Sequence, residues 1–413
     1  MKTGKPEDVL GWLKPGQRVF FQGGPGECTV FRDLLLANPE AAKGVELWSA
    51  LVPGINRFDY GALPGGPDLV TFMASPALEG SIAAGRTRID AMPYSEIGET
   101  LAAMEFDLAI LHVAPPTEGV CSFGISAEAG PLVWPHAKKS IAFVNERMPH
   151  TPGDGMALDA IDMAVPIDAP LLEAAAPGAR SAVLEAIGRH AAQLVRNGAT
   201  IQSGIGEAPG AMIAALKDHR RLRVHSGLIS AEYRQLAESG VLDAAAEHIT
   251  GIAWGDAGFY DWLGQGAFTF RSCRETHDRA RIAALPDFVS LGSALEVDLE
   301  GAINLEWLGA RRVSSVGGAP DFMHGAAASS SGLSIIGLPS TTRSGAARIV
   351  PRLTGNGGKP SVPSSLAGAI VTEHGAAVLR GLSADARAKA LIAIAAPEHR
   401  AGLEEAFAAS RRA

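Results

Sequence analysis

Ser293–Thr342 reads SALEVDLEGAINLEWLGARRVSSVGGAPDFMHGAAASSSGLSIIGLPSTT. Two apolar runs frame it, around Leu295–Leu299 and Leu333–Leu338. Between them lies Ser315-Val316-Gly317-Gly318-Ala319-Pro320-Asp321-Phe322. Paired glycines let backbone come close to a ligand, because no Cβ excludes it. They also leave N–H groups to face an anion or a thioester carbonyl oxygen. Taken alone, the pair reads better as a plain tight turn.

Upstream, Ala199-Thr200-Ile201-Gln202-Ser203-Gly204-Ile205-Gly206-Glu207-Ala208-Pro209 reads as a strand, a glycine turn and a helix start, with the helix running to about Leu216. Free N–H groups and the helix dipole make such a turn an anion site. The third glycine of the dinucleotide fingerprint is missing, so this is no nicotinamide site. Further back, short apolar runs alternate with helical patterns. Strands are predicted at Arg18–Gln22, Gly44–Leu51, Leu69–Phe72, Leu108–Val113 and Ser140–Val144, which implies βα units and a parallel sheet. Gly23-Gly24-Pro25-Gly26 follows the first, at the carboxyl end where open α/β sheets bind ligands. Pro166, Pro170 and Pro177 mark a crossing between domains. Ser181–Asn197 carries a helical stripe, with Ser181 as N-cap and Gly198 past the end. Gly355–Gly358 reads as a mobile loop.

The chain has 413 residues, too many for one ordinary core. Two domains are expected, at residues 1–180 and 181–413. A formal net charge of −8 and no basic run argue against a nucleic-acid binder. Cys28, Cys121 and Cys273 lie far apart, with neither a disulfide framework nor metal-ligand spacing. A reducing cytoplasm is the natural compartment. No signal peptide and no membrane-spanning run is visible.

Ala294–Gly309, Ser314–Ala326 and Ser334–Thr341 resemble the C-terminal strings of the acetyl-CoA hydrolase/transferase family, "ALEVDLTGQVNAESIG", "SGVGGQxDFxRGA" and "SIIALPST". Ala199–Pro209 resembles the family's "GAtLQxGIGxiPxAv". Tyr260–Leu263, Val371–Gly375 and Ala390–Pro397 resemble "YDFL", "VTExG" and "ALIaIAhP". Leu111–Gly124 and Val144–Pro149 match the N-terminal half. The resemblance implies two open α/β domains of the CoA-transferase type, with the active site in the cleft between them. It also implies a homodimer that takes acyl-CoA and a small carboxylic acid, with no metal. By the same resemblance, Gly204, Ile205, Gly206, Glu207, Ala208, Asn304 and Phe322 are the expected contacts for coenzyme A or acetyl-CoA. Gly317 and Gly318 are expected at the reacting carbonyl.

The family's chemistry needs a glutamate nucleophile that forms an enzyme–CoA thioester. Its string "HTEMFSDGVVDLIEAGVV" aligns without a gap on His225–Leu242, and the glutamate falls on Gly227. The family's "GGQ" is Gly317-Gly318-Ala319, and its "KGGKS" is Ser330-Ser331-Gly332-Leu333-Ser334. Arg311, Arg312, Arg343 or Lys359 are the cations left to meet CoA. Glu232 could replace the nucleophile or be a solvated helix residue. Glu296 and Glu373 match acids the family already has. His225 could serve as a base or hold a loop. Cys273 and His277 are four apart, which reads as coincidence. Trp254, Phe259, Tyr260 and Trp262 read as packing rather than an aryl-binding wall.

Three functions remain open. One is an acyl-CoA enzyme without a glutamyl thioester, which passes acyl groups directly or admits water. Its sharper form uses acetyl-CoA to convert a β-keto acid, aryl or not, with Gly227 leaving room for a bulkier substrate. The second is an ordinary CoA-transferase with its glutamate supplied from another segment. The third is a CoA-binding protein without turnover.

Overall fold

The computed structural model describes residues 2–175 and 178–412, so Pro177 lies outside the described residues. Packing divides the chain into two compact units, Met1–Ala176 with His248–Thr276 and Pro177–Glu247 with His277–Ala413. The chain thus changes unit three times, where the sequence suggests one boundary at 180. Residues 248–276 belong with the first unit through backbone pairing. Ala127 N–H donates to the Gly251 carbonyl at 2.9 Å, and Ala253 N–H to the Ile125 carbonyl at 2.9 Å.

The first unit is built on an eight-stranded parallel sheet. Its order is Lys2–Thr3, Met163–Ile167, Ser140–Asn145, Leu108–Val113, Arg18–Phe21, Glu46–Trp48, Asp68–Thr71, Thr87–Ile89. Strands in such a sheet are covered on both faces and read as continuous apolar runs. Leu108–Val113 is LAILHV, and every residue is buried. The five predicted strands all appear: Arg18–Phe21 and Glu46–Trp48 are shorter than expected, Asp68–Thr71 is shifted by one residue, Leu108–Val113 matches, and Ser140–Asn145 runs one residue longer.

The chain leaves Arg18–Phe21 toward one edge of this sheet and later returns to Leu108–Val113 on its other side. That is a switch point, and Gly23–Gly26 sits at its carboxyl end. Gln22 braces the turn. Its Oε1 accepts from His112 N–H at 3.0 Å, and its Nε2 donates to the Ser126 carbonyl at 2.7 Å. Beside it Glu128 is buried, and Oε1 has no partner among the described residues. Burial pushes the Glu128 carboxyl up to about 7, against a hydrogen bond from Tyr94 Oη at 3.2 Å.

Phe259, Tyr260 and Trp262 are buried. Phe259 and Trp262 stack at 5.9 Å, and Trp262 meets Phe268 edge-on at 6.0 Å. These rings pack against one another, as their spacing suggests.

The second unit carries strands in the order Arg223–Ser230, Thr200–Ser203, Phe288–Gly292, Leu333–Gly337, Ala369–Thr372, Gly375–Val378. All run parallel except the last, which closes an antiparallel hairpin. Ser181 caps the helix Ala182–Ala192, accepting from Leu184 N–H at 3.3 Å. The helix stops five residues short of Asn197. Leu194 N–H already bonds back to the Ala191 carbonyl at 3.0 Å, tightening the chain toward Gly198 at φ +79°. Gly355–Gly358 forms a short 3-10 turn, with Gly355 buried.

Candidate active site

In the second unit, the chain leaves Thr200–Ser203 toward Arg223–Ser230 on one side and returns to Phe288–Gly292 on the other. The carboxyl ends of these neighbours form a second switch point. Gly204–Gly206 lies there and leads into the helix Glu207–Ala214. Gly206 is its N-cap at φ +122°, a conformation that L side chains rarely adopt. Gly204 N–H donates to the Leu291 carbonyl at 2.8 Å, which fastens the turn to the next strand. Ile205 is exposed.

A cavity of about 230 Å³ opens at this point. Glu207, Ala208, Ser293, Leu295, Pro339 and Arg348 are among the residues that line it. Arg348 was not among the cations expected from sequence. It sits at the edge of the strand Ile349–Val350, where nothing in its local pattern marks it. Burial drives its guanidinium pKa down, and its Nε has no partner among the described residues. Its Nη1 donates to the Ala294 carbonyl at 3.3 Å. Arg312, by contrast, is paired with Glu306 at 2.5 Å.

The glycine pair forms the entry to the helix Ala319–Ala328, with Gly318 as N-cap and Gly317 at φ +56°. Neither glycine's N–H has an acceptor among the described residues. They therefore add to the positive end of the helix dipole. Asp321, in the first turn, is fully buried and pairs with Arg279 at 2.7 Å.

Gly227 lies in the strand Arg223–Ser230, two residues after the buried His225 and hence on its face. The structure corrects the expectation that Gly227 leaves open space. A Cβ there would stand 2.7 Å from His277 Cε1 and 2.8 Å from His277 Nε2. A Cβ on Gly318 would stand 2.5 Å from the same Nε2. One imidazole thus fills the gap between the two glycines. Phe322 backs it, with ring centroids 4.7 Å apart. His277 is buried, and its pKa is lowered to about 4. Loss of solvent is the main cause and the nearby His225 adds to it, while Asp321 opposes both. The ring is neutral at neutral pH. Cys273 belongs to the first unit, where its Sγ would stand 3.0 Å from a Cβ on Gly98.

The candidate acids are otherwise engaged. Glu232 is no solvated helix residue. It accepts from Arg180 Nη2 at 2.6 Å and from Ser230 Oγ at 2.7 Å. Glu373 accepts from Ser340 N–H at 2.9 Å and Oγ at 2.6 Å. Burial works to raise the Glu296 pKa, but hydrogen bonds from Thr354, Asn304 and Gly355 outweigh it and hold the carboxyl low. Asn304, expected at the cofactor, is fully buried and turned to its own loop. Its amide donates to the Trp307 carbonyl at 2.7 Å and to Glu296, and its Oδ1 accepts from Glu306 N–H at 3.1 Å and Trp307 N–H at 3.0 Å. Among the described residues no group of three or more His, Cys, Asp or Glu could hold a metal ion. Among the described residues, no helix is long and apolar enough to cross a membrane.

Two open α/β units, a glycine-pair turn and a cavity at a switch point define an enzyme of the CoA-transferase type. Residues 255–407 match the family model of the acetyl-CoA hydrolase/transferase C-terminal domain. The chain is 34% identical over 310 residues to the 4-hydroxybutyrate coenzyme A transferase of Clostridium kluyveri, covering 73% of this chain and 72% of that one. Among solved structures it resembles RipA from Yersinia pestis, with TM-score 0.90, 25% identity, and 99% and 98% of the two chains covered. It also resembles a 4-hydroxybutyrate CoA-transferase from Porphyromonas gingivalis, with TM-score 0.81, 26% identity, and 100% and 98% covered. The protein belongs to the acetyl-CoA hydrolase/transferase family.

Proposed function

We propose that this protein moves acyl or CoA groups between an acyl-CoA and a small carboxylic acid, without a glutamyl–CoA intermediate. The observation that carries this reading is the filled gap between Gly227 and Gly318. Where the family's glutamate falls, a glycine faces an imidazole. With no enzyme-bound thioester, donor and acceptor occupy the site together, so proximity replaces covalent catalysis. Gly317 and Gly318 N–H groups hold the oxyanion. The turn Gly204–Gly206, Glu207 and Ala208 guide the CoA arm, and Arg348 supplies the cation beside them.

The acceptor is proposed as a β-keto acid, with acetyl-CoA as donor. The packed rings of Phe259 and Trp262 remove the reason to require an aryl group. Hydrolysis is the second reading, because a neutral imidazole beside the glycine pair suits an attacking water. In keeping with the family, we place the enzyme in the cytoplasm as a metal-free homodimer. Incubation with acetyl-CoA and a panel of acids, read by mass spectrometry, tests the function. New acyl-CoA is the expected result, free CoA alone means hydrolysis, and no change means a binding protein without turnover.

A further inference from the structure

We infer that His277 is the general base of this site, refilling from the turn before the helix Arg279–Ala284 the slot that a side chain at position 227 would occupy. The inference rests on the proposed acyl-CoA reading.

Three observations place it there. First, the imidazole is wedged between two glycines on different elements, one in the strand Arg223–Ser230 and one capping the helix Ala319–Ala328. At either position even one methyl group would collide with it, at 2.7 Å or 2.5 Å. Both positions must be glycine for the ring to sit there, so the ring and the glycines form one feature. Second, the ring edge that carries Nε2 faces both glycines, and one of them, Gly318, offers an N–H that with that of Gly317 suits an oxyanion. Third, the ring has a fixed seat. His277 immediately precedes Asp278, which caps the helix Arg279–Ala284 by accepting from Ala280 N–H at 2.8 Å and Arg281 N–H at 3.1 Å. Arg279 of that helix is held by Asp321, and Phe322 covers the ring face.

A water molecule attacks the acyl carbon, its O–H bond breaks, and the proton passes to Nε2 while the C–O bond forms. The carbonyl electron pair moves to oxygen, toward Gly317 and Gly318. On collapse the C–S bond breaks, and the imidazolium returns its proton to the thiolate, leaving the acid and CoA. In transfer, the acceptor carboxylate attacks the acyl carbon, the C–S bond breaks to give a mixed anhydride, and the departing thiolate takes a proton from water. Nε2 then accepts that thiol proton as sulfur attacks the acceptor's carbonyl carbon. The anhydride C–O bond breaks, the donor acid leaves as its carboxylate, and the imidazolium returns the proton to water. His277 therefore serves hydrolysis and transfer alike.

The test compares the native enzyme with His277→Gln and with His277→Ala. It measures acetyl-CoA turnover with and without acids, CoA binding by calorimetry, the thermal midpoint, and adducts trapped by borohydride. His277→Gln keeps the bulk but not the basicity. It is expected to lower turnover by about a hundredfold or more while CoA affinity changes less than about threefold. His277→Ala empties the slot and should lose as much activity, so the conclusion stands on two variants if one folds poorly. If His277→Gln retains a third or more of the native rate and no adduct is trapped, the base assignment falls and the acyl-CoA reading stands. A trapped CoA adduct on the native enzyme overturns both, as does a native enzyme that leaves acetyl-CoA unchanged with every acid.

Discussion

A Cβ on Gly227 would stand 2.7 Å from His277 Cε1, closer than real side chains approach. A side chain at this position therefore meets the His277 ring. Gly227→Glu should destabilise the protein by about 1–3 kcal/mol through overpacking, and should trap no adduct. Gly227→Glu combined with His277→Gly should regain most of that stability and form an adduct with acetyl-CoA. Thermal unfolding of both variants, with peptide mapping after borohydride, checks this. A single variant as stable as the native protein would mean the ring moves aside freely.

Gly318→Val should cut turnover by about a hundredfold or more. Its φ of −82° suits any residue, so backbone strain is not the reason. The added Cβ would stand 2.5 Å from His277 Nε2 and crowd the N–H proposed to face the oxyanion. Steady-state kinetics beside a thermal melt separates this from unfolding.

Gly206→Leu should weaken CoA binding by roughly tenfold, about 1.4 kcal/mol. At φ +122° a leucine is strained, so the turn that leads to Glu207 and Ala208 must shift. Isothermal calorimetry with CoA reads the change. Unchanged affinity would mark the turn as purely structural.

With His277 lowered to about 4, the rate should stay level as the pH falls from about 7.5 to about 5.5. An ordinary histidine base would lose most of its activity over that range. The groups that act on the ring are His225, which lowers its pKa, and Asp321, which raises it and is itself paired with Arg279. Asp321→Asn should therefore move the acid limb further down. The pH dependence of kcat/KM is the measurement.

Glu128 gives a stability signature of its own. Its folded pKa of about 7 lies above the ordinary carboxyl value of 4.5. Its contribution is full below 4.5 and is lost as the pH rises through about 7, because the folded state holds the proton longer. Glu128→Gln should unfold at a higher temperature than the native protein at pH 8 and show less dependence on pH between 5 and 8. Melts across that range decide it.

Much of this was legible in the sequence. LAILHV at Leu108–Val113 reads as a doubly covered strand because every residue suits a buried parallel sheet. The Gly204–Gly206 turn reads as a ligand turn because strand, glycines and helix follow in order. His277 was not legible as a site residue. It lies 50 positions from Gly227 and 41 from Gly318, and no local pattern ties the three. Arg348 beside the cavity was hidden for the same reason, and a motif could not show which way the Asn304 side chain turns. Its amide turns inward to satisfy the loop that follows. The return of residues 248–276 to the first unit was equally hidden, since pairing between Ile125–Ala127 and Gly251–Ala253 leaves no trace in composition.

The most direct test of the central claim is borohydride reduction of the native enzyme during turnover of acetyl-CoA, followed by peptide mapping. On the proposed alignment of Gly227 with the family's glutamate, the prediction is turnover with no reduced adduct on any glutamate. A glutamate recovered as its alcohol, at Glu232, Glu373 or elsewhere, would contradict it and return this protein to ordinary covalent CoA transfer.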